Sequence, residues 1–167
     1  MNIRNLGHVA FICQDLERSC RFYRDALGLQ HKFSISYGDL LDNLLAEAQQ
    51  SGTAPNAELV ARLEPIREKI WISYFEIGTG AFVELFDAGQ ATLPCIPDRD
   101  HFNYDHIALV VDDIFAAHRA LIERGVPIDT PPRLGLEHTW QMWTHDPDGN
   151  KLEFMQYTDR SWQLTGR

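Results

Sequence analysis

The feature that most narrows what this chain of 167 residues can become is an internal repeat. Asn5-Leu6-Gly7-His8-Val9-Ala10-Phe11-Ile12 recurs as Asn103-Tyr104-Asp105-His106-Ile107-Ala108-Leu109-Val110, and each copy continues through Asp15-Leu16 or Asp113-Ile114 into an amphipathic stretch. A second correspondence joins Trp71, Gly80 and Glu84 to Trp140, Gly149 and Glu153. The histidines stand 98 residues apart and the glutamates 69, so the first copy carries about 29 extra residues between its helix and its last two strands. A repeat of this length means one supersecondary unit used twice, which sets the architecture before any single residue is interpreted.

Hydrophobic periodicity gives the unit its parts. Residues 3–12 alternate as a strand. Residues 15–27 follow as a helix capped by Asp15 and stopped at Gly28, with Phe22, Tyr23, Ala26 and Leu27 on its apolar side. A second strand is expected over 31–36. The extra chain, 37–69, reads as two helices: one with the stripe Leu40, Leu41, Leu44, Leu45 and Ala48 ending at Ser51-Gly52, and one with Leu59, Val60, Leu63 and Ile66 that Pro65 kinks or ends. Strands over 70–77 and 81–86 are joined by Gly78-Thr79-Gly80. The expected organisation is therefore a first βαβββ module at 1–86, a linker at 87–103, and a second module with a tail at 104–167. In the second module the strand is 104–111, the helix 113–124 stops at Gly125, and the last two strands flank Asp146-Pro147-Asp148-Gly149. The fold class is α+β.

Composition closes off several functions. A net charge of −9 with no basic cluster repels phosphate backbones and anionic headgroups, so no nucleic acid or membrane partner is expected. The start of the chain has no signal-like apolar run, and Cys13, Cys20 and Cys95 lack CxxC spacing, which together point to a cytoplasmic, reducing setting. The apolar stripes of the insertion exceed what a short hairpin buries alone, so they are expected to cover a pocket or to form a homodimer contact, and the homodimer is the partner expected.

Strand alternation places His8 with Leu6 and Ala10, and Glu84 with Phe82 and Phe86. A carboxylate among aromatic side chains needs a partner, and Glu153 between Lys151 and Met155 poses the same requirement. One imidazole and one carboxylate from each copy make a donor set suited to a divalent ion of the Ni, Co, Zn, Mn or Fe kind. His8, Glu84, His106 and Glu153 are the candidate metal ligands. His138, Trp140, Met142 and Thr144 share one strand face and are either pocket lining or core, and Trp71 and Tyr74 pose the same choice. His31, His101, His118 and His145 lie in turn, linker or exposed-helix contexts and stay outside the site.

Gly7-His8-Val9-Ala10, Phe22-Tyr23-Arg24-Asp25-Ala26-Leu27-Gly28-Leu29, Asp105-His106-Ile107-Ala108 and Asp146-Pro147-Asp148-Gly149-Asn150-Lys151-Leu152-Glu153 together resemble the vicinal oxygen chelate superfamily, which includes glyoxalase I, extradiol dioxygenases and bleomycin resistance proteins. The resemblance implies paired βαβββ modules forming an open, barrel-like cup. It also implies one divalent metal in a glyoxalase I-like His, Glu, His, Glu order, and isomerase, epimerase or lyase chemistry on a small hydroxy-carbonyl substrate through a metal-stabilised enediolate. Glu153, then Glu84, would be the catalytic base. Ile12 and Ala88 stand where glyoxalase I proteins commonly carry an Arg and an Asn for glutathione, which argues against a glutathione substrate. The alternatives are an Fe(II) extradiol-type dioxygenase using His8, His106 and Glu153, and a non-catalytic binding or resistance protein of the same fold.

Overall fold

The computed structural model describes residues 6–89 and 105–166. Most of the linker reading, together with Cys95, His101 and Tyr104, lies outside those residues. The elements run β1 (His8–Cys13), α1 (Leu16–Arg21), β2 (Gln30–Ser36), α2 (Tyr37–Ser51), α3 (Ala57–Leu63), β3 (Ile70–Gly78), β4 (Ala81–Asp87), β5 (Ile107–Val110), α4 (Ile114–Glu123), β6 (Thr130–Leu134), β7 (Trp140–His145), β8 (Lys151–Gln156) and α5 (Trp162–Thr165). They form two four-stranded mixed sheets, ordered β1-β4-β3-β2 and β5-β8-β7-β6, and neither closes into a barrel. In each sheet the first strand of the unit pairs parallel with the last, while the remaining neighbours are antiparallel. The repeat in the sequence is thus a repeat of topology.

The chain divides into two compact units, and the division does not follow the order of the modules. Unit one holds residues 1–20 and 29–92. Unit two holds 93–167 together with Arg21–Gly28. The expected helix over 15–27 explains how. Asp15 caps it, accepting from Arg18 N at 2.9 Å. After Arg21 it loosens into a π turn, Phe22–Ala26, in which Leu27 N–H donates to Phe22 O at 3.0 Å. Phe22, Ala26 and Leu27 then pack on the core of unit two, which is built from Ile114, Leu121, Val126, Met142, Leu152 and Phe154. Gly28, at φ +76°, turns the chain out of this segment, and Arg124 Nη1 donates to Ala26 O at 2.9 Å beside it.

In unit one the buried sheet face carries Phe11, Cys13, Phe75, Val83 and Leu85. The opposite face, read across the registers, carries Phe33, Tyr74, Glu84 and Ala10 in one row, flanked by Glu76, Phe82 and His8 and by Ile72, Phe86 and Ile12.

The insertion folds as the two expected helices. A Ser36–Asp39 capping box opens α2, Gly52 ends it at φ +68°, and Asn56 caps α3. Pro65 falls in a 3₁₀ turn, Glu64–Ile66, so α3 ends at Leu63. Tyr37, Leu41 and Leu63 form the centre of the hairpin, with Leu44, Leu59, Val60 and Trp71 around them. Much of the stripe that looked too wide for a hairpin is therefore covered by the hairpin itself and by Trp71 at the start of β3.

Tyr37 ties the insertion to the end of β4, donating its hydroxyl to Asp87 Oδ2 at 2.9 Å. Burial, reinforced by the Asp87 carboxylate, pushes the phenol up to about 12. The neutral phenol is what the folded state favours, so its stabilisation is whole below the unfolded value near pH ~10 and is lost as pH rises from ~10 through ~12. Wild-type protein is expected to lose ~2 kcal/mol more than Tyr37→Phe across that window, read from urea midpoints at each pH. Parallel curves would show that Tyr37 does not carry the effect.

Candidate metal centre

Each unit builds the same imidazole–carboxylate pair from the same three strands. In unit one Glu84 of β4 lies between Ala10 of β1 and Tyr74 of β3, while His8 stands two residues before Ala10 on the same face. In unit two Glu153 of β8 lies between Ala108 of β5 and Trp143 of β7, with His106 two residues before Ala108. The imidazole reaches its carboxylate in both: His8 Nδ1 is 3.1 Å from Glu84 Oε1, and His106 Nε2 is 3.3 Å from Glu153 Oε2. Both glutamates are 5% exposed, whereas the side chains of His8 and His106 are 57% and 32% exposed. Two nearly buried carboxylates thus have their accessible sides marked by an imidazole.

The pairs differ in their second neighbours. Tyr74 stands opposite Glu84 in the sheet, and burial, then the neighbouring carboxylate, raises the phenol above its usual range. Trp143 stands at the equivalent position beside Glu153 and packs edge-on against the His106 ring, with centroids 4.8 Å apart. Burial pushes the Glu153 carboxyl up; His106 opposes this and Glu137 adds to it. His106 also has a carboxylate on its other nitrogen, Asp105 Oδ2 at 2.6 Å from Nδ1. That bond holds the Asp105 carboxyl below the usual carboxylate range, with Lys151 Nζ 3.4 Å away assisting. A second carboxylate on the far nitrogen fixes the ring orientation and tautomer of a metal-binding histidine.

The structure therefore brings His8 to Glu84 and His106 to Glu153, with Asp105 behind the second pair. Among the described residues no group of three His, Cys, Asp or Glu side chains is assembled as a metal cage. Within each unit the donors nevertheless suit a borderline divalent ion: an imidazole, and a carboxylate whose burial calls for a compensating charge.

Of the two roles that sequence parity left open for one face of β7, pocket lining or core, the structure gives Met142 and Thr144 the core. Met142 and Thr144 are fully buried in the core, and the β7 residues that share the Glu153 face are Gln141, Trp143 and His145. His138 lies before β7 at φ +59°. Trp71 packs with the insertion, and Tyr74 belongs to the site. The roles of Asp105 and Trp143 were missed, and for Tyr74 the choice between pocket and core was left open. For Asp105 the available signal was its position beside the repeated histidine. For Trp143 it was the register opposite a glutamate that it shares with Tyr74.

The family model for the Glyoxalase/Bleomycin resistance protein/Dioxygenase superfamily matches residues 5–154. No curated protein matches the chain. Among solved structures, a glyoxalase/dioxygenase from Nostoc punctiforme aligns with a TM-score of 0.63 at 20% identity, covering 95% of this chain and 94% of that one. Lactoylglutathione lyase from Agrobacterium tumefaciens aligns at 0.57 and 17% identity, over 93% and 96% of the two chains. TioX from Micromonospora sp. ML1 aligns at 0.57 and 12% identity, over 93% and 100%. At these identities the likeness is one of fold.

Proposed function

We propose that this chain, which belongs to the Glyoxalase/Bleomycin resistance protein/Dioxygenase superfamily, is an enzyme that holds one divalent ion on His8, Glu84, His106 and Glu153 and moves a proton on a small hydroxy-carbonyl substrate, as an isomerase, epimerase or lyase. The observation that carries this reading is the imidazole–carboxylate pair built twice, at the same register, with both carboxylates nearly buried. A structural histidine or a satisfied core glutamate has no reason to recur as a pair in both copies.

When bound, an ion of the Ni, Co, Zn, Mn or Fe class supplies a Lewis acid that favours negative charge on a substrate oxygen while the neighbouring carbon loses its proton. The protein's own groups divide the remaining work. Glu84 has His8 Nδ1 within 3.1 Å and Tyr74 opposite it in the sheet, which suits a fixed donor. Glu153 faces an indole rather than a phenol at the equivalent position, and burial favours its protonated form, so its carboxyl oxygens are the better place to receive and return a proton. Asp105 keeps the His106 ring turned so that Nε2 faces the site.

Metal content by mass spectrometry tests the reading, on wild type and on His8→Ala, Glu84→Gln, His106→Ala and Glu153→Gln expressed alike. One ion per chain, lost or sharply reduced by either histidine variant, is the expected result. Two ions per chain, each sensitive only to its own pair, would replace one centre by two. No metal after reconstitution sinks the enzyme reading in favour of a ligand-binding protein. Oxygen uptake with a catechol would replace proton transfer by ring cleavage.

A further inference from the structure

The two copies of the unit supply an internal control for which side chains the fold itself requires. Around Glu84 the neighbours two residues before and after are Phe82 and Phe86; around Glu153 they are Lys151 and Met155. The same strand, in the same register and sheet order, tolerates a charged and an unbranched residue in unit two, so aromatic rings at Phe82 and Phe86 are not a demand of the topology. They belong to a set. Phe33 of β2 stacks on Tyr74 with centroids 4.2 Å apart and planes at 18°, and Tyr74 meets Phe82 edge-on at 6.2 Å. Phe86 in turn meets Trp71 edge-on at 5.7 Å. The stack is open at one end, since Phe33 is 45% exposed, on the face that carries the His8–Glu84 pair.

An exposed phenyl ring at the end of a stack, in register with a buried carboxylate, combines two kinds of recognition. Ring faces and edges favour another planar ring by offset or edge-on contact, and the polar pair beside them favours oxygens that bind a cation or donate hydrogen bonds. A short aliphatic hydroxy-carbonyl compound would engage the second and leave the first in water. We propose that the Glu84 face of the first sheet is a ring-binding surface, so that the substrate is an aryl-substituted hydroxy-carbonyl compound whose ring packs on Phe33, Tyr74 and Phe82. This rests on the reading of the His8–Glu84 pair as metal-binding, and it narrows the substrate class.

A matched pair of probes tests it: 2-hydroxy-1-phenylethanone and hydroxyacetone carry the same α-hydroxy ketone and differ by phenyl against methyl. Titration calorimetry on metal-loaded protein is expected to show the phenyl compound binding about tenfold more tightly. Phe33→Ala should weaken the phenyl compound about fivefold to tenfold and leave hydroxyacetone unchanged, while Phe33→Tyr, which keeps a ring, should retain the preference. Phe33 lies on an edge strand and is largely exposed, and the unfolding midpoint of each variant shows whether it still folds. Equal affinities for the two probes, undetectable binding of the phenyl compound, or equal weakening of both by Phe33→Ala overturns the proposal. Metal content of the same samples separates the two readings. A metal-loaded chain without ring preference removes the ring surface alone. A chain without metal that keeps a Phe33-dependent ring preference removes the metal alone.

Discussion

Asp146→Ala is expected to lower the stability of the protein by about 3–5 kcal/mol. Asp146 is 1% exposed and its carboxylate is fully used. Oδ1 accepts from Asp148 N at 2.9 Å and Asn150 N at 2.8 Å, which shapes the turn between β7 and β8. Oδ2 accepts from Asn150 Nδ2 and from the Tyr23 hydroxyl, each at 2.9 Å. Removing it leaves buried donors unpaired, and those to a charged acceptor are worth about 1.5–3 kcal/mol each before water and relaxation recover part of the loss. Tyr23→Phe removes one of the bonds and should cost about 1–3 kcal/mol. Because both act on one contact, the double variant should cost less than the two singles added. Urea unfolding measures all three. A loss below ~1 kcal/mol for Asp146→Ala would show that the turn holds without its carboxylate.

Asp105→Asn is expected to weaken metal binding about tenfold to a hundredfold while leaving the fold intact. Its side chain is 59% exposed and its main contact is the 2.6 Å bond to His106 Nδ1, so the substitution alters the histidine's support and little else. Competition with a chelating dye reads the affinity. The informative comparison is Asp25→Asn, in which another exposed carboxylate, paired with Arg24, is neutralised without touching the site. Equal effects from the two would assign the loss to net charge rather than to the ring of His106.

The repeat made much of this legible. Two corresponding histidines and two corresponding glutamates, placed on strands by alternation, were enough to set an imidazole and a carboxylate on one face in each unit, and the registers Ala10–Glu84 and Ala108–Glu153 show why: the spacing fixes the face. What alternation cannot say is which face meets a helix. Trp140, Met142 and Thr144 share a side with one another, but only the packing of α4 and of Phe22, Ala26 and Leu27 makes that side the core. An amphipathic pattern is equally mute about its partner. The apolar side of residues 15–27 was plain in the sequence, whereas its change from an α-helix to a π turn after Arg21, and the core it fills, depend on contacts with chain about a hundred residues away. Asp105 escaped because alternation would turn a neighbour of His106 away, and the rule does not govern a residue that precedes the strand.

The membership of Arg21–Gly28 in the second unit bears on the order in which the molecule can be assembled. A ribosome delivers Phe22, Tyr23 and Leu27 early, and their partners, the core on α4, β7 and β8 for Phe22 and Leu27 and the Asp146 carboxylate for Tyr23, emerge only after most of the chain has been made. Until then these side chains are a hydrophobic segment awaiting its site, and closing the second core must bring together parts of the chain separated by roughly a hundred residues, a slow step on loop-closure grounds. A nascent chain arrested before residue 93 would hold the whole first sheet and, within it, a key to a lock not yet synthesised.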